Sequence, residues 1–249
     1  MNTRYDNEGG QIWRTYIYVV RDSIAVSITH HVINCFLCQC QGNSSTSEVE
    51  LCYALVMARR EEPLTNEEFY HVFNRGVDKQ RVFSSDSDYR QAMLALDYYQ
   101  YDNPPMKLSR YKRLTIDGKY SVRLKITSSN SQLVQIIAFV LMPNHWHFLL
   151  KQLTDNGISK FMSQFCNSYT RYYNTKHSKI GHIFQGAFKS VHIESQEQLI
   201  HLSRYIHLNP YVASLIQKSE LSTYLWSSLP DYLAGESNTK DSQPILSIF

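Results

Sequence analysis

The chain of 249 residues is 43% hydrophobic and 19% charged with a formal net charge of +3, a balance that suits one globular domain with extensions or two small domains, of which one catalytic domain with appendages is expected. It contains no apolar run of the roughly 18 residues that a membrane helix needs and no basic, apolar and small-residue leader, so a soluble, cytoplasmic protein without a membrane partner is expected. Five cysteines, an odd number with four of them in the first 56 residues, exclude a secreted disulfide framework.

Residues 1–56 hold three arginines against five carboxylates, a net −2, so the remainder carries +5 and is the expected side for a polyanionic partner. Cys35, Cys38 and Cys40 lie near His30 and His31 at a zinc-like spacing, but no second cysteine pair follows and ordinary thiols are expected. This stretch has no consistent hydrophobic period and contains a Ser/Thr/Asn patch at 43–47. Met57 is a natural start, which divides the chain into an extension of unknown role (1–56), a catalytic domain (57–230) and a polar tail (231–249).

Glu68 to Gly76 is aromatic and β-branched and ends in glycine, which predicts a strand. A helix follows, capped by Ser85 or Asp86, with Tyr89, Met93, Leu96 and Tyr99 at helical spacing. The polar, proline-broken segment from Asp102 to Ser131 is an insertion, with Val122 to Ile126 as one extra strand. Val134 to Ile137, running into Phe139 to Met142, predicts a strand that turns, or bulges, at Pro143-Asn144 into a second strand from His145 to Lys151.

Ile158, Phe161, Met162, Phe165, Tyr169 and Tyr172 then mark a strong amphipathic helix whose face is core. His182 to Ile193 predicts a strand that is most regular in its later half. A last helix begins near Ser195, three residues before Gln198 as in a capping box, and is expected to stop at Pro210 with Asn209 at its frayed end. The order of strand, helix, two strands, helix, strand and helix predicts an α+β fold, a ferredoxin-like antiparallel sheet with packed helices.

The chemistry concentrates at two places. In an extended strand alternate side chains share a face, so His145 and His147 form a candidate metal clip while Trp146 packs the other way. On the last helix His201, Tyr205 and Asn209 are four residues apart and share one side. Two imidazoles and the Asn209 amide suffice to hold a divalent cation with open positions for a phosphate oxygen, and the phenol of Tyr205 is a nucleophile that such a cation would assist. Two imidazoles suit Mn2+ somewhat better than Mg2+ on coordination chemistry, with cellular availability left to choose.

These motifs resemble the single-tyrosine His-hydrophobic-His transposases of the insertion-sequence type, above all the REP-associated tyrosine transposases. The resemblance spans Met57 to Trp226 and rests on Tyr70-His71-Val72 through Asn74-Arg75-Gly76, Met142-Pro143-Asn144-His145-Trp146-His147, Gly181-His182-Ile183-Phe184-Gln185-Gly186 and Arg204-Tyr205-Ile206-His207-Leu208-Asn209-Pro210. It implies His145, His147 and Asn209 as ligands of Mg2+ or Mn2+, Tyr205 as the nucleophile, single-stranded or hairpin DNA as partner, and nicking through a 5′-phosphotyrosine with later strand transfer. Ala187 departs from the arginine common in relatives, and the first 56 residues have no counterpart there.

Rival nucleophiles are Tyr169, Tyr172 and Tyr173, none of which has an amide four residues later. Arg75, Lys189 and Arg204 are the candidate phosphate contacts, with Arg171, Lys176 and Lys179 further along the same track. His201 is expected to be structural or exposed. Two other activities fit the same parts: a non-catalytic hairpin binder, hinted at by Ala187, and a metal phosphodiesterase that uses water. A monomer is favoured over the helix-swapped dimer of related insertion-sequence enzymes.

Overall fold

The computed structural model describes residues 63–129 and 132–234; the cysteine cluster, Met57 and the N-terminal extension lie outside them. Strand β1 (Phe69–Arg75) is followed by α1 (Asp86–Tyr99), a short α2 (Leu108–Tyr111) and α3 (Ile116–Ser128). Strands β2 (Val134–Met142) and β3 (His145–Gln152) form a hairpin, then come α4 (Gly157–His177), β4 (Lys189–Ile193), α5 (Gln196–Val212) and α6 (Leu229–Ala234). The four strands lie in the order β2-β3-β1-β4, each antiparallel to its neighbour. This is the expected ferredoxin-like arrangement, with α2 and α3 inserted between α1 and β2 and α5 added after β4.

Alternation decides which side chains meet. Tyr70, Val72, Trp146, Phe148 and Leu150 form one face of the sheet and pack in a single apolar cluster with Ile158, Phe161, Phe165 and Tyr169 of α4 and Ala92, Ala95 and Leu96 of α1. Ala138, Val140, Met142 and Leu149 form the other face and pack against Leu199, Leu202 and Ile206 of α5. Strand β2 reaches both cores with the right parity because of a bulge between Ile136 and Ala138. One extra residue there, Ile137, shifts the alternation, so that Ile136 faces the α4 side while Ala138, Val140 and Met142 face α5. The break in the apolar run lies at this bulge, and Pro143-Asn144 makes the tight two-residue turn.

Local chemistry starts and stops the helices. Ser85 and Asp88 form a reciprocal capping box on α1, and the Asp88 carboxylate also accepts from the backbone N–H groups of Ser84 and Ser85 at 3.0 and 3.1 Å. Helix α4 can begin only at a glycine, because a Cβ on Gly157 would sit 2.2 Å from the Leu133 carbonyl oxygen. Ser195 caps α5 by accepting from the Gln198 N–H at 3.2 Å.

Three sequence expectations are corrected. Val122 to Ile126 lies inside α3, whose Thr115 cap accepts from the Gly118 N–H; Val122 and Ile126, one helical turn apart, are its buried residues while Leu124 is 50% exposed. The apolar alternation there is half of a helical stripe. The strand expected from His182 pairs only from Lys189, since Gly186 adopts a left-handed φ of 63° and Phe184 makes a single bridge to Gly76. Helix α5 runs through Pro210 to Val212. Pro210 lies in the last turn, where the loss of its one backbone donor does not end the helix, and Asn209 is buried at 4% exposure where a frayed end was expected.

No helix among the described residues is long and apolar enough to cross a membrane. Beyond α5 the chain returns to the sheet: the Ser228 hydroxyl accepts from the Phe139 N–H at 3.0 Å and meets His207 Nε2 at 2.8 Å. Tyr232 donates to the Ile137 carbonyl at 2.6 Å at the bulge and lies edge-on to His207, ring centres 5.0 Å apart.

Burial holds the His207 imidazole neutral down to about 4. An unfolded chain would protonate it near its ordinary value of 6.5, so stability is full above that pH and is lost as pH falls toward 4, at up to about 1.4 kcal/mol per pH unit for one such group. The melting temperature is expected to fall across this acidic window, and His207→Gln to flatten the fall; a melting temperature independent of pH there would contradict the burial argument.

Candidate active site

The ladder of β1 with its two neighbours lays out the site row by row. Arg75 lies opposite His145, Phe73 opposite both His147 and Lys189, and His71 opposite both Leu149 and Val191. Residues opposite one another in a ladder share a face, so His145, His147, Arg75, His71 and Lys189 all lie on the α5 side. Trp146 goes to the other core, stacked on Phe148 with ring centres 4.3 Å apart. The rings of His145 and His147 are 5.1 Å apart and nearly perpendicular at 88°.

Helix α5 crosses this face and supplies the remaining groups. The Tyr205 ring stands edge-on to His147 at 5.6 Å and to His71 at 6.4 Å. One turn later Asn209 lies close enough to the His145 ring for its amide to raise that ring's pKa. The four residues expected from sequence to carry the chemistry are thus brought together within one chain. Of the candidate phosphate contacts, Arg75 lies close enough to depress the pKa of both His145 and His147, and Lys189 lies in the same row as His147. Arg204 acts electrostatically on His201 of its own helix.

Burial decides the protonation of the imidazoles. It holds His145 down to about 4, helped by the Arg75 charge and opposed by the Asn209 amide. It holds His147 well below the ordinary histidine value, with the neighbouring His145, His71 and Arg75 adding to the effect, and holds His71 at about 3. All three rings are therefore neutral near pH 7, the state in which an imidazole nitrogen can ligate a metal.

Both candidate imidazole ligands are also anchored from behind. His145 Nδ1 lies 2.6 Å from Asn144 Oδ1. The Asn144 amide is oriented by its own Nδ2, which donates to the Lys79 carbonyl at 3.3 Å. His147 Nδ1 lies 2.9 Å from His71 Nε2. On its other side His147 Nε2 is buried without a hydrogen-bond partner among the described residues, which is the condition of a nitrogen whose partner is an ion or a ligand. Among the described residues no group of three or more His, Cys, Asp or Glu side chains is placed to hold a metal. Two imidazoles and one neutral amide could hold a divalent cation without cancelling its charge, leaving positions for anionic phosphate oxygens.

The rival tyrosines are engaged elsewhere, in the core on the α4 side. Tyr169 donates to the Val82 carbonyl, Tyr173 to the Arg81 carbonyl at 3.0 Å and Tyr172 to Asp88 Oδ1 at 3.1 Å, and burial pushes the Tyr169 phenol far up. His71 is the residue that sequence reasoning left without a role. The available signal was parity, because residues 71, 73 and 75 alternate onto the same face as the histidine pair once the two strands are neighbours.

Residues 107–209, which include β3 and α5 up to Asn209, match the model of the family described as IS200-like transposase. No curated protein sequence matches the chain. Among solved structures, the chain is similar to a REP-associated tyrosine transposase bound to a REP hairpin, with 15% identity, 74% of this chain and 90% of that one covered, and a TM-score of 0.49. It is also similar to a Deinococcus radiodurans R1 protein assigned as a transposase, with 12% identity, 60% and 95% covered, and a TM-score of 0.34. A third is the tRNA(His) guanylyltransferase of Saccharomyces cerevisiae, with 10% identity, 77% and 80% covered, and a TM-score of 0.36. The stretch that matches the IS200-like transposase model spans the histidine pair, the tyrosine and the asparagine.

Proposed function

We propose that this chain nicks and rejoins single-stranded DNA beside a hairpin, with Tyr205 as the nucleophile. The observation that carries the reading is the edge-on approach of the Tyr205 ring to His147 at 5.6 Å, with the Asn209 amide close enough to His145 to raise its pKa. The Tyr205 oxygen attacks the phosphorus and gives up its proton, the bond from phosphorus to the 3′ oxygen breaks, and that oxygen leaves as a 3′-hydroxyl once protonated. The product is a 5′-phosphotyrosine, which keeps the energy of the cleaved linkage. A 3′-hydroxyl can then attack the same phosphorus and release the tyrosine, which joins strands without ATP.

His145, His147 and Asn209 would hold Mg2+ or Mn2+, and such an ion supplies charge stabilisation at the phosphate oxygens and lowers the phenol's proton affinity. The protein's own contribution is positioning. Arg75 and Lys189 place positive charge on the site face, where the phosphate would lie, and Arg204 would contact the backbone further along α5. One copy of the chain carries imidazoles and phenol side by side, which supports a self-contained monomer, with a helix-swapped dimer as the alternative. Cytoplasmic DNA is the partner in this reading, and residues 57–230 are its catalytic unit.

A labelled DNA hairpin with single-stranded flanks, incubated with the protein and Mn2+ and run on a denaturing gel, is expected to give a protein-linked band. Tyr205→Phe is expected to lower that band by roughly 1,000-fold or more while still shifting the hairpin on a native gel. Cleavage without a linked band would indicate water as the nucleophile, and neither product would indicate a binding protein that retains the fold.

The metal assignment has its own test. His147→Ala is expected to abolish the stimulation of cleavage by Mn2+, and Asn209→Ala to raise the Mn2+ concentration required. Stimulation that survives His147→Ala unchanged would remove the imidazoles from the ligand set.

A further inference from the structure

The His71 ring packs on His147 with ring centres 5.1 Å apart and planes 22° apart, and its Nε2 lies 2.9 Å from His147 Nδ1. Both side chains are sealed from solvent, at 2% and 5% exposure. Between two neutral imidazoles this contact holds one proton, and the proton has two possible homes. If it sits on His71 Nε2, then His147 accepts at Nδ1 and must carry its own proton on Nε2, pointing into the site. If it sits on His147 Nδ1, then His71 is the acceptor and His147 Nε2 presents a lone pair to the site.

The surroundings of His147 choose between them. Its Nε2 has no hydrogen-bond partner among the described residues, and an N–H left there would be a buried, unsatisfied donor, which costs about 1–3 kcal/mol. A lone pair at the same place is what a cation requires. The geometry points to His71 as the positioning residue that holds His147 in the Nδ1-protonated tautomer and so aims the Nε2 lone pair at the cation. This rests on the reading of His147 as a ligand.

The partner in this role is most often a carboxylate or a backbone carbonyl. Here it is a second imidazole, which fixes the tautomer without adding negative charge beside the position that a phosphate would occupy. His145 is treated alike by Asn144, whose amide is also neutral. Both candidate ligands therefore have neutral supports, in keeping with a site whose third donor, Asn209, is an amide as well.

The tautomer can be read directly in the metal-free protein. Long-range 15N–1H correlation spectra of the histidine side chains, with His147 assigned by comparison with His147→Gln, are expected to show the Nδ1-protonated form; the Nε2-protonated form would overturn the proposal. In a second experiment Mn2+ binding is followed by electron paramagnetic resonance. His71→Phe is expected to weaken it roughly 10- to 100-fold, and His71→Gln, which keeps an acceptor oxygen, to recover most of the loss. Hairpin binding without metal, recorded alongside, is expected to be unchanged in both variants and reports that they are folded. Wild-type uptake of Mn2+ with equal uptake by folded His71→Phe would overturn the role of His71 alone, whereas wild-type protein that takes up no Mn2+ would overturn the ligand reading beneath it.

Discussion

The register of β3 against β1 is the constraint on which the site depends. Because side chains alternate with period two, the pairing of Arg75 with His145 and of Phe73 with His147 puts both imidazoles, Arg75 and His71 on the α5 side. A slip by one residue would turn His145 and His147 into the α4 core and bring Trp146 out beneath Tyr205. What prevents it is the size of the interaction that would be lost. Trp146 is fully buried, stacked on Phe148 and edge-on to Phe165 and Phe184, and an aromatic of that size contributes several kcal/mol in place. The residue between the two histidines is thus the anchor that makes their orientation unique.

The second face of the sheet is covered, where a simple ferredoxin-like sheet would leave it open, and this covering is what brings the nucleophile to the histidines. Leu199, Leu202 and Ile206 seat α5 on Ala138, Val140, Met142 and Leu149. The bulge at Ile137 permits this, since it changes the parity of β2 midway and lets one strand serve both cores. The chain beyond α5 reinforces the same place, with Ser228 bonded to Phe139 and Tyr232 bonded to the Ile137 carbonyl. Tyr205 and Asn209 project from a helix held at several points along its length, which limits the motion of the phenol relative to the imidazoles.

Burial gives this site its electrostatic character. The three imidazoles are neutral because they are desolvated, and the Arg75 guanidinium adds its charge beside His145 and His147. Among the described residues the site face therefore carries lone pairs and positive charge but no carboxylate ligand. Such an arrangement suits a cation that is shared with a polyanion, since the phosphate supplies the negative charge that the protein withholds. The tyrosines of α4 are excluded from this chemistry by the same logic, Tyr169 and Tyr173 being buried and Tyr172 half-buried on the other side of the sheet, with their hydroxyl protons donated to Val82, Arg81 and Asp88.

Much of this was legible in residue order, because strand and helix periods are local properties. Alternation around Trp146 and four-residue spacing from Tyr205 to Asn209 put each pair on one face before any contact is known. Local reading failed where neighbours decide. Val122 to Ile126 alternates like a strand yet forms a helix, since only Val122 and Ile126 find a surface to bury against. Pro210 could be placed in a last turn, and Asn209 kept buried, only by the packing of α5 on the sheet. His71 lies 76 residues before its partner, and no local period links positions so far apart. The amino-acid sequence by itself determined most of the strands and helices and the chemical groups they display, because those follow from short-range periodicity. Which faces meet, and that a third imidazole stands behind the second, was decided by tertiary structure alone, because strand order and register are set by the burial of side chains distant in sequence.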